Sequence, residues 1–315
     1  MRIAFFGTPD FAVPSLTKLY QAGFEIGCVV TAKDRPKGRG LKVLPNPVKI
    51  KAQALGIEVY EPENPNTQEF YEVLAQKNPE VCVLTAYAYK IKQPLLGLPK
   101  KGFINLHPSL LPSYRGAAPI NWAIINGEKQ TGVTTFLMDE KMDTGAIIMQ
   151  SAVEIGQDET AGELTEKLAR LGAEILVQTL ALVEKGNFPS CVQNENKVIP
   201  APKITDADRI INWNRTNLEI NNLIRGLSPL PAAYTHFRHK RVEIYRSKII
   251  EHPGLSDSEP GNIILPNKDL IVGTGKGLLN ILQIKIEGGR LITGPDFING
   301  QRPKPIEKFN QEGLR

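Results

Sequence analysis

Short runs of apolar residues, separated by segments with helical spacing, constrain the fold of this chain most. The runs in the first part of the chain lie at residues 3–6, 26–31, 81–85 and 103–107. The helical patterns between them lie at residues 14–22, 48–55 and 67–76. Strands that are apolar along their whole length are buried on both faces. The alternation therefore predicts an α/β fold, in which helices cover both faces of a mostly parallel sheet.

The chain length of 315 residues and a change of pattern after residue 186 predict two domains. Residues 1–186 form the first domain and end in a long helical pattern. Residues 187–208 contain prolines and no periodicity, which is typical of a linker. Residues 209–315 carry short strand-like runs punctuated by Gly and Pro, and they predict a second, smaller β-barrel of the OB type.

Composition excludes several classes of protein. Cys28, Cys82 and Cys191 have no paired spacing, which argues against a disulfide framework or a zinc site. No apolar run is long enough to span a membrane and no signal-like segment opens the chain, so we expect a cytoplasmic protein. The net charge is +5, of which +4 lies in residues 206–315. That excess permits a polyanionic partner.

Asn105 and His107 stand at the end of the strand predicted for residues 103–107. Because side chains alternate along a strand, the two should project from the same face. His107 can exchange a proton near neutral pH, and the Asn105 amide can donate to a developing oxyanion. The alternative is a structural cap and turn. The loop predicted for residues 109–116, which begins after Pro108, favours the functional interpretation.

Asp143 is the third candidate, in a Met-Asp-Thr-Gly turn that ends at Gly145. It has a catalytic interpretation only if the fold brings it to His107; otherwise it forms an ordinary Asx turn. Asp139 and Glu140 are predicted to be solvated. The spacing of these carboxylates does not match a metal site, so no metal is expected.

The loop after the first predicted strand, Gly7-Thr8-Pro9-Asp10, contains one glycine. A dinucleotide-binding fold would place G-x-G-x-x-G there. The sequence therefore gives no reason to expect NAD, although the loop can still line a ligand crevice.

A basic segment follows the second predicted strand. Residues 33–51 carry seven Lys or Arg and one Asp, which gives +6. The glycines and the proline of residues 33–42 predict a surface loop. The segment is either a solvated charged loop or a contact for nucleic-acid phosphates.

Several motifs together resemble the folate-dependent formyltransferases, and the resemblance runs nearly from end to end. The motifs are Asn105-x-His107, Ser109-Leu110-Leu111-Pro112, residues 114–120, Asp143-x-Gly145, Gly38-Arg39-Gly40 and Arg225-Gly226-Leu227-Ser228-Pro229. The family implies a Rossmann-like catalytic domain and an OB-like domain that binds tRNA. It implies 10-formyltetrahydrofolate as the formyl donor, and the α-amino group of methionine on initiator methionyl-tRNA as the acceptor. A monomer without a metal is expected.

The resemblance also assigns residues to roles. The catalytic residues it implies are Asn105, His107 and Asp143. The folate contacts it implies are Ser109, Leu110, Leu111 and Pro112. The tRNA contacts it implies are Arg35, Lys37, Arg39 and Lys42.

Three other functions share some of these features. A formyltransferase acting on a UDP-amino sugar would have the same catalytic residues and folate loop. The hydrolase portion of formyltetrahydrofolate dehydrogenase would need a longer chain. A non-enzymatic RNA-binding module would leave Asn105, His107 and Asp143 unexplained. The Gly38-Arg39-Gly40 loop and the basic C-terminal third favour tRNA as the acceptor.

Overall fold

The computed structural model describes residues 1–37, 42–186, 188–251, 258–265, 269–304 and 307–310. The chain divides into two compact units. Unit 1 comprises Met1–Pro119, Gln130–Glu154 and Thr165–Ala201. Unit 2 comprises Ile120–Lys129, Ile155–Leu164 and Pro202–Arg315. The domain limits at residues 186 and 208 stay predictions.

The elements up to residue 201 alternate between strands and helices. The strands are β1 (Arg2–Gly7), β2 (Glu25–Val30), β3 (Arg35–Lys37), β4 (Lys42–Leu44), β5 (Val59–Tyr60), β6 (Val81–Thr85), β7 (Phe103–His107), β8 (Ser113–Gly116), β9 (Gln130–Leu137), β10 (Ile147–Glu154) and β11 (Ile199–Ala201). The helices are α1 (Val13–Gln21), α2 (Pro47–Ala54), α3 (Gln68–Gln76), α4 (Pro119–Ile125) and α5 (Ala161–Glu184).

The main sheet of unit 1 has seven strands in the order β10-β9-β7-β6-β1-β2-β5. The five strands from β7 to β5 are mutually parallel, and β9 and β10 add an antiparallel edge. The predicted α/β fold with a mostly parallel, Rossmann-like sheet is confirmed. The strand order reverses between β1 and β6, and such a switch point is where open α/β sheets bind ligands.

Alternate residues of β1 enter two separate cores because the strand is buried on both faces. Phe5 packs with α1 and α5 on one face, while Phe6 packs with Leu74 of α3 on the other. Full burial of such a side chain contributes about 1.5–3 kcal/mol. Cys28 and Cys82 lie in the second core with no exposed surface, as buried small hydrophobes.

Two loop predictions are corrected. Residues 109–116 were expected to form a loop throughout, but β8 pairs in parallel with β11. Residues 33–42 were expected to form an irregular surface loop, but β3 and β4 pair as an antiparallel hairpin, with residues 38–41 outside the described part. Both strand pairs are only three or four residues long, so neither shows a periodicity that could have predicted it.

Unit 2 is a small antiparallel β-structure that also contains most of α4. The strands are β12 (Ala233–Phe237), β13 (Lys240–Ile250), β14 (Ile263–Ile264), β15 (Ile271–Gly273), β16 (Leu278–Ile286) and β17 (Leu291–Thr293), and two further helices are α6 (Asn217–Leu227) and α7 (Gly294–Gln301). The strand order is β12-β13-β16-β15-β14, with β17 paired to β16. The sequence did not predict β17 or α7.

The two edges of this sheet are joined by residues 307–310. Asn310 exchanges backbone hydrogen bonds with His236 of β12, and Phe309 donates to the carbonyl of Gly261 beside β14. The Phe309 ring stacks on Trp213 with centroids 5.7 Å apart. The C-terminal segment thus closes the sheet, and the predicted small barrel-like second domain is confirmed.

A capping box stabilises the start of α5 and makes the stability of the protein depend on pH. Glu163 accepts hydrogen bonds from the Thr160 backbone and hydroxyl at 2.8 Å, and also pairs with Arg246. These contacts, the Thr160 backbone first, lower the pKa of Glu163 to about 2. Because the side chain is 49% exposed, solvent screening reduces the benefit. We expect Glu163→Gln to destabilise the protein by about 1 kcal/mol at pH 7.

The contribution of Glu163 should depend on pH in a defined direction. Its folded-state pKa lies below its ordinary value of 4.5, so the stability is present above pH 4.5 and is lost toward pH 2. Urea unfolding of wild type and Glu163→Gln should therefore converge as the pH falls through this window. Glu174→Gln, an exposed position on the same helix, is the control. A difference that does not change with pH would contradict the ionic contribution.

Candidate active site

A cavity of about 450 Å³ lies in unit 1 beside the ends of β6 and β7. Its walls are largely apolar and include Leu84 and Phe136. Asn105, His107 and Asp143 all line it. The structure thus brings together the three residues predicted to be catalytic. Mostly apolar walls with a few convergent polar groups are typical of small-molecule sites.

His107 is buried and its ring is held in one orientation. Its Nε2 lies 2.9 Å from the backbone carbonyl oxygen of Tyr114. A carbonyl can only accept a hydrogen bond, so Nε2 carries the proton and donates. The remaining nitrogen, Nδ1, lies 3.8 Å from Asp143 Oδ2. Nδ1 is therefore the position through which His107 can exchange a proton with reacting groups.

Asp143 sits in a turn with φ of 56°, in the left-handed region. That conformation costs about 1–2 kcal/mol for a residue with a Cβ, and such strain is common at functional sites. Its Oδ2 accepts a hydrogen bond of 2.9 Å from the backbone N–H of Gly116. Gly145 makes the turn possible, because a Cβ there would stand 1.8 Å from the Leu137 carbonyl oxygen.

Asn105 has a half-buried side chain on the wall of the cavity. Within the described part of the chain, its amide has no hydrogen-bond partner. The neighbouring strands hold its backbone, with Leu84 on one side and Phe136 on the other. A rigidly held amide N–H that faces a cavity is suited to stabilise negative charge on a ligand oxygen.

Tyr87 is a site residue that sequence reasoning missed. Its hydroxyl is buried and unpartnered in the described structure, and the side chain lines the same cavity. Burial, with a contribution from Tyr89, raises the pKa of Tyr87 above its usual range. The hydroxyl therefore stays protonated and can bind a polar group of a ligand. Tyr87 lies in a segment without helical or strand periodicity, so the sequence pattern did not indicate that it belongs to the site.

The residues predicted to contact folate lie beside the cavity wall rather than on it. Ser109 and Leu111 are buried, and none of the group Ser109, Leu110, Leu111 and Pro112 lines the cavity. Thr134 fixes this loop, because its hydroxyl donates to the Ser109 carbonyl and accepts from the Leu111 N–H. The folate role of these residues stays a prediction.

Three of the predicted tRNA contacts lie in strands β3 and β4. The backbone of Arg35, Lys37 and Lys42 is described within β3 and β4, and Arg39 lies outside the described residues. Their role stays a prediction.

Among the described residues, no group of three or more His, Cys, Asp or Glu could hold a metal ion. In the same residues, no helix has both the length and the apolar character needed to cross a membrane.

The chain is similar along nearly its whole length to known formyl transferases. Residues 1–180 match the family described as formyl transferase, and residues 203–302 match its C-terminal domain. The methionyl-tRNA formyltransferase of Pelotomaculum thermopropionicum is 45% identical over 303 residues, covering 95% of this chain and 96% of that protein. The enzyme of the same name from Caldanaerobacter subterraneus subsp. tengcongensis is 44% identical, covering 95% and 97%.

Solved structures show a similar fold at low sequence identity. HypX from Aquifex aeolicus has a TM-score of 0.67 and 17% identity, covering 95% of this chain and 48% of that one. An N-formyltransferase from Helicobacter canadensis, in complex with folinic acid and dTDP-3-aminofucose, has a TM-score of 0.66 and 19% identity. It covers 89% of this chain and 97% of that one.

Proposed function

The chain belongs to the formyl transferase family, and from this premise we propose its reaction. It transfers a formyl group from 10-formyltetrahydrofolate to the α-amino group of methionine on initiator methionyl-tRNA. One observation carries the proposal at the site: Asn105, His107 and Asp143 converge on one cavity. The choice of tRNA as the acceptor rests on full-length relatives that carry the name methionyl-tRNA formyltransferase.

The cavity has the properties that a formyl-folate substrate needs. Its volume falls within the range of small-molecule pockets. Leu84, Ile91 and Phe136 offer apolar walls for a flat ring, and the unpartnered Tyr87 hydroxyl can bind a polar edge. The donor supplies an activated formyl carbon. The residues of this chain provide orientation, hydrogen bonds and proton transfer.

The three polar residues divide the work of the transfer. When the neutral amine attacks the formyl carbon, negative charge develops on the formyl oxygen. The Asn105 amide donates to that oxygen, and so does His107 through Nδ1–H when the ring is protonated. Asp143, held by the Gly116 N–H, receives the proton that the amine loses. As the bond between the formyl carbon and folate N10 breaks, His107 passes a proton from Nδ1 to N10 and regains the one that Asp143 took from the amine, so the reaction releases no net proton.

In this proposal the enzyme is a monomer and acts in the cytoplasm, where translation begins. The proposed tRNA contacts are Arg35, Lys37, Arg39 and Lys42. They bind phosphates, and phosphate contacts do not distinguish one base sequence from another. The proposed folate contacts are Ser109, Leu110, Leu111 and Pro112. Size-exclusion chromatography with light scattering tests the monomer. A salt titration of tRNA binding tests these contacts. Each phosphate contact that a substitution removes makes the dependence of log K on log salt concentration less steep.

An acceptor comparison tests the function. With 10-formyltetrahydrofolate as the donor, we expect formylation of methionyl initiator tRNA and no product with a UDP-amino sugar. The sugar acceptor is the second candidate because the Helicobacter canadensis neighbour shares the fold. Sugar formylation without tRNA formylation would contradict the proposed acceptor. Uncharged initiator tRNA, which lacks the methionyl amine, is the control.

A further inference from the structure

The turn that carries Asp143 is held by a side chain from outside that turn. Gln193 comes from the segment that follows α5, and its side chain is buried. Its Nε2 donates to the carbonyl oxygen of Asp143 at 2.9 Å and to that of Gly145 at 2.8 Å. One amide thus binds two carbonyls of this turn, and one of them belongs to Asp143, the residue with the left-handed φ.

Arg115 fixes the direction in which the Gln193 amide points. The guanidinium donates to Gln193 Oε1 through Nε at 3.0 Å and through Nη2 at 2.8 Å. A guanidinium can only donate and the two turn carbonyls can only accept, so the amide has one satisfied orientation. Glu195 also holds Arg115, because its carboxylate accepts hydrogen bonds from Arg115 Nη1 at 3.0 Å and Nη2 at 2.9 Å.

Strand β8 connects Gln193 to both ionisable groups of the site. The carbonyl of Tyr114 binds the His107 ring, and the N–H of Gly116 binds the Asp143 carboxylate. Arg115, between them, orients Gln193. Three consecutive residues therefore determine the separation between the imidazole and the carboxylate.

We propose that Gln193, oriented by Arg115, is a positioning residue that holds Asp143 in place for formyl transfer. The proposal rests on the proposed function, because it assumes that Asp143 acts in that reaction. Gln193 lines no part of the cavity and touches no reacting atom. Its effect passes through the backbone of the turn, which can relax from its strained conformation when the two hydrogen bonds are lost.

Two substitutions of Gln193 separate positioning from packing. Gln193→Leu keeps the size and loses both hydrogen bonds, so we expect kcat to fall about 10–100-fold with little change in KM for either substrate. Gln193→Glu keeps the shape and the contact with Arg115 but cannot donate to the carbonyls, and a similar loss is expected. Because Glu would face two carbonyl oxygens, positioning is distinguished from packing by the change in kcat without a change in KM and by the double-mutant cycle below. Val192→Thr, at an exposed neighbouring position, is the control and should retain full activity.

A double-mutant cycle gives the decisive measurement. If Gln193 acts through Asp143, adding Gln193→Leu to Asp143→Asn should lower kcat no further. Additive losses of kcat in the double variant would overturn the proposal. A near-normal kcat in both Gln193→Leu and Gln193→Glu would overturn it as well. Circular dichroism and the melting temperature establish that each variant is folded; if Gln193→Leu is not, the cycle uses Gln193→Glu. Should wild type formylate only the sugar, the cycle is run on that acceptor, so the two proposals can fail separately.

Discussion

Replacing His107 with glutamine is expected to lower kcat for formyl transfer by about 10²–10⁴-fold. The His107 ring donates from Nε2 to the Tyr114 carbonyl and leaves Nδ1 for proton exchange near Asp143. A glutamine amide can still donate to that carbonyl, so the buried acceptor keeps its partner. It cannot gain and release a proton at the position of Nδ1. The loss should therefore fall on kcat, which single-turnover kinetics would measure.

Controls separate this effect from a loss of folding. His239→Asn changes an exposed histidine in the turn between β12 and β13, and asparagine accepts the left-handed φ of 65° found there. We expect that variant to keep wild-type kcat. His107→Gln should also retain its melting temperature to within a few degrees. Activity within about 10-fold of wild type would remove His107 from the proton-transfer role.

Replacing Asn105 with alanine is expected to lower kcat by about 10²–10³-fold, the usual cost of losing one oxyanion donor. The Asn105 amide has no other partner among the described residues, so its removal leaves no protein group unsatisfied. Stability should therefore change little. Asn105→Asp should be less active still, because a carboxylate accepts rather than donates and repels the developing charge.

Unit 2 offers a matched control for Asn105. Asn280 is also a half-buried asparagine on a strand, β16. We expect Asn280→Ala to leave kcat within about 2-fold of wild type, since the residue has no part in the proposed site. Rapid-quench measurement of formyl-methionyl-tRNA would compare the two. Equal losses in both variants, or full activity in Asn105→Ala, would contradict the role of the amide.

Long apolar strands could be predicted from sequence because burial on both faces leaves a pattern. The predicted limits of β6 and β7 agree with the structure, and the predicted sheet type follows from them. Strands β8 and β11 could not be predicted, because their pairing joins distant residues and neither has a periodicity. Helix α7 begins at Gly294-Pro295, contains a further glycine and has a short apolar face, which hid it.

The residues of the site were likewise only partly predictable from the sequence. Strand alternation predicted that Asn105 and His107 share a face. The proximity of Asp143 was a condition that sequence could not test, and the 3.8 Å separation meets it. Gln193 was missed because it lies in a proline-containing segment predicted as a linker. Its role depends on two backbone carbonyls, and backbone acceptors have no residue-specific signal.

Closure of the second sheet by residues 307–310 has a consequence for synthesis of the protein on the ribosome. The segment that joins β12 to the region of β14 is translated after both of the strands whose edges it covers. Until it emerges, both strands present unpaired edges, which are templates for pairing with other chains. A nascent or prematurely terminated chain is therefore exposed to aggregation through unit 2, whereas the strands of unit 1 are complete by residue 201.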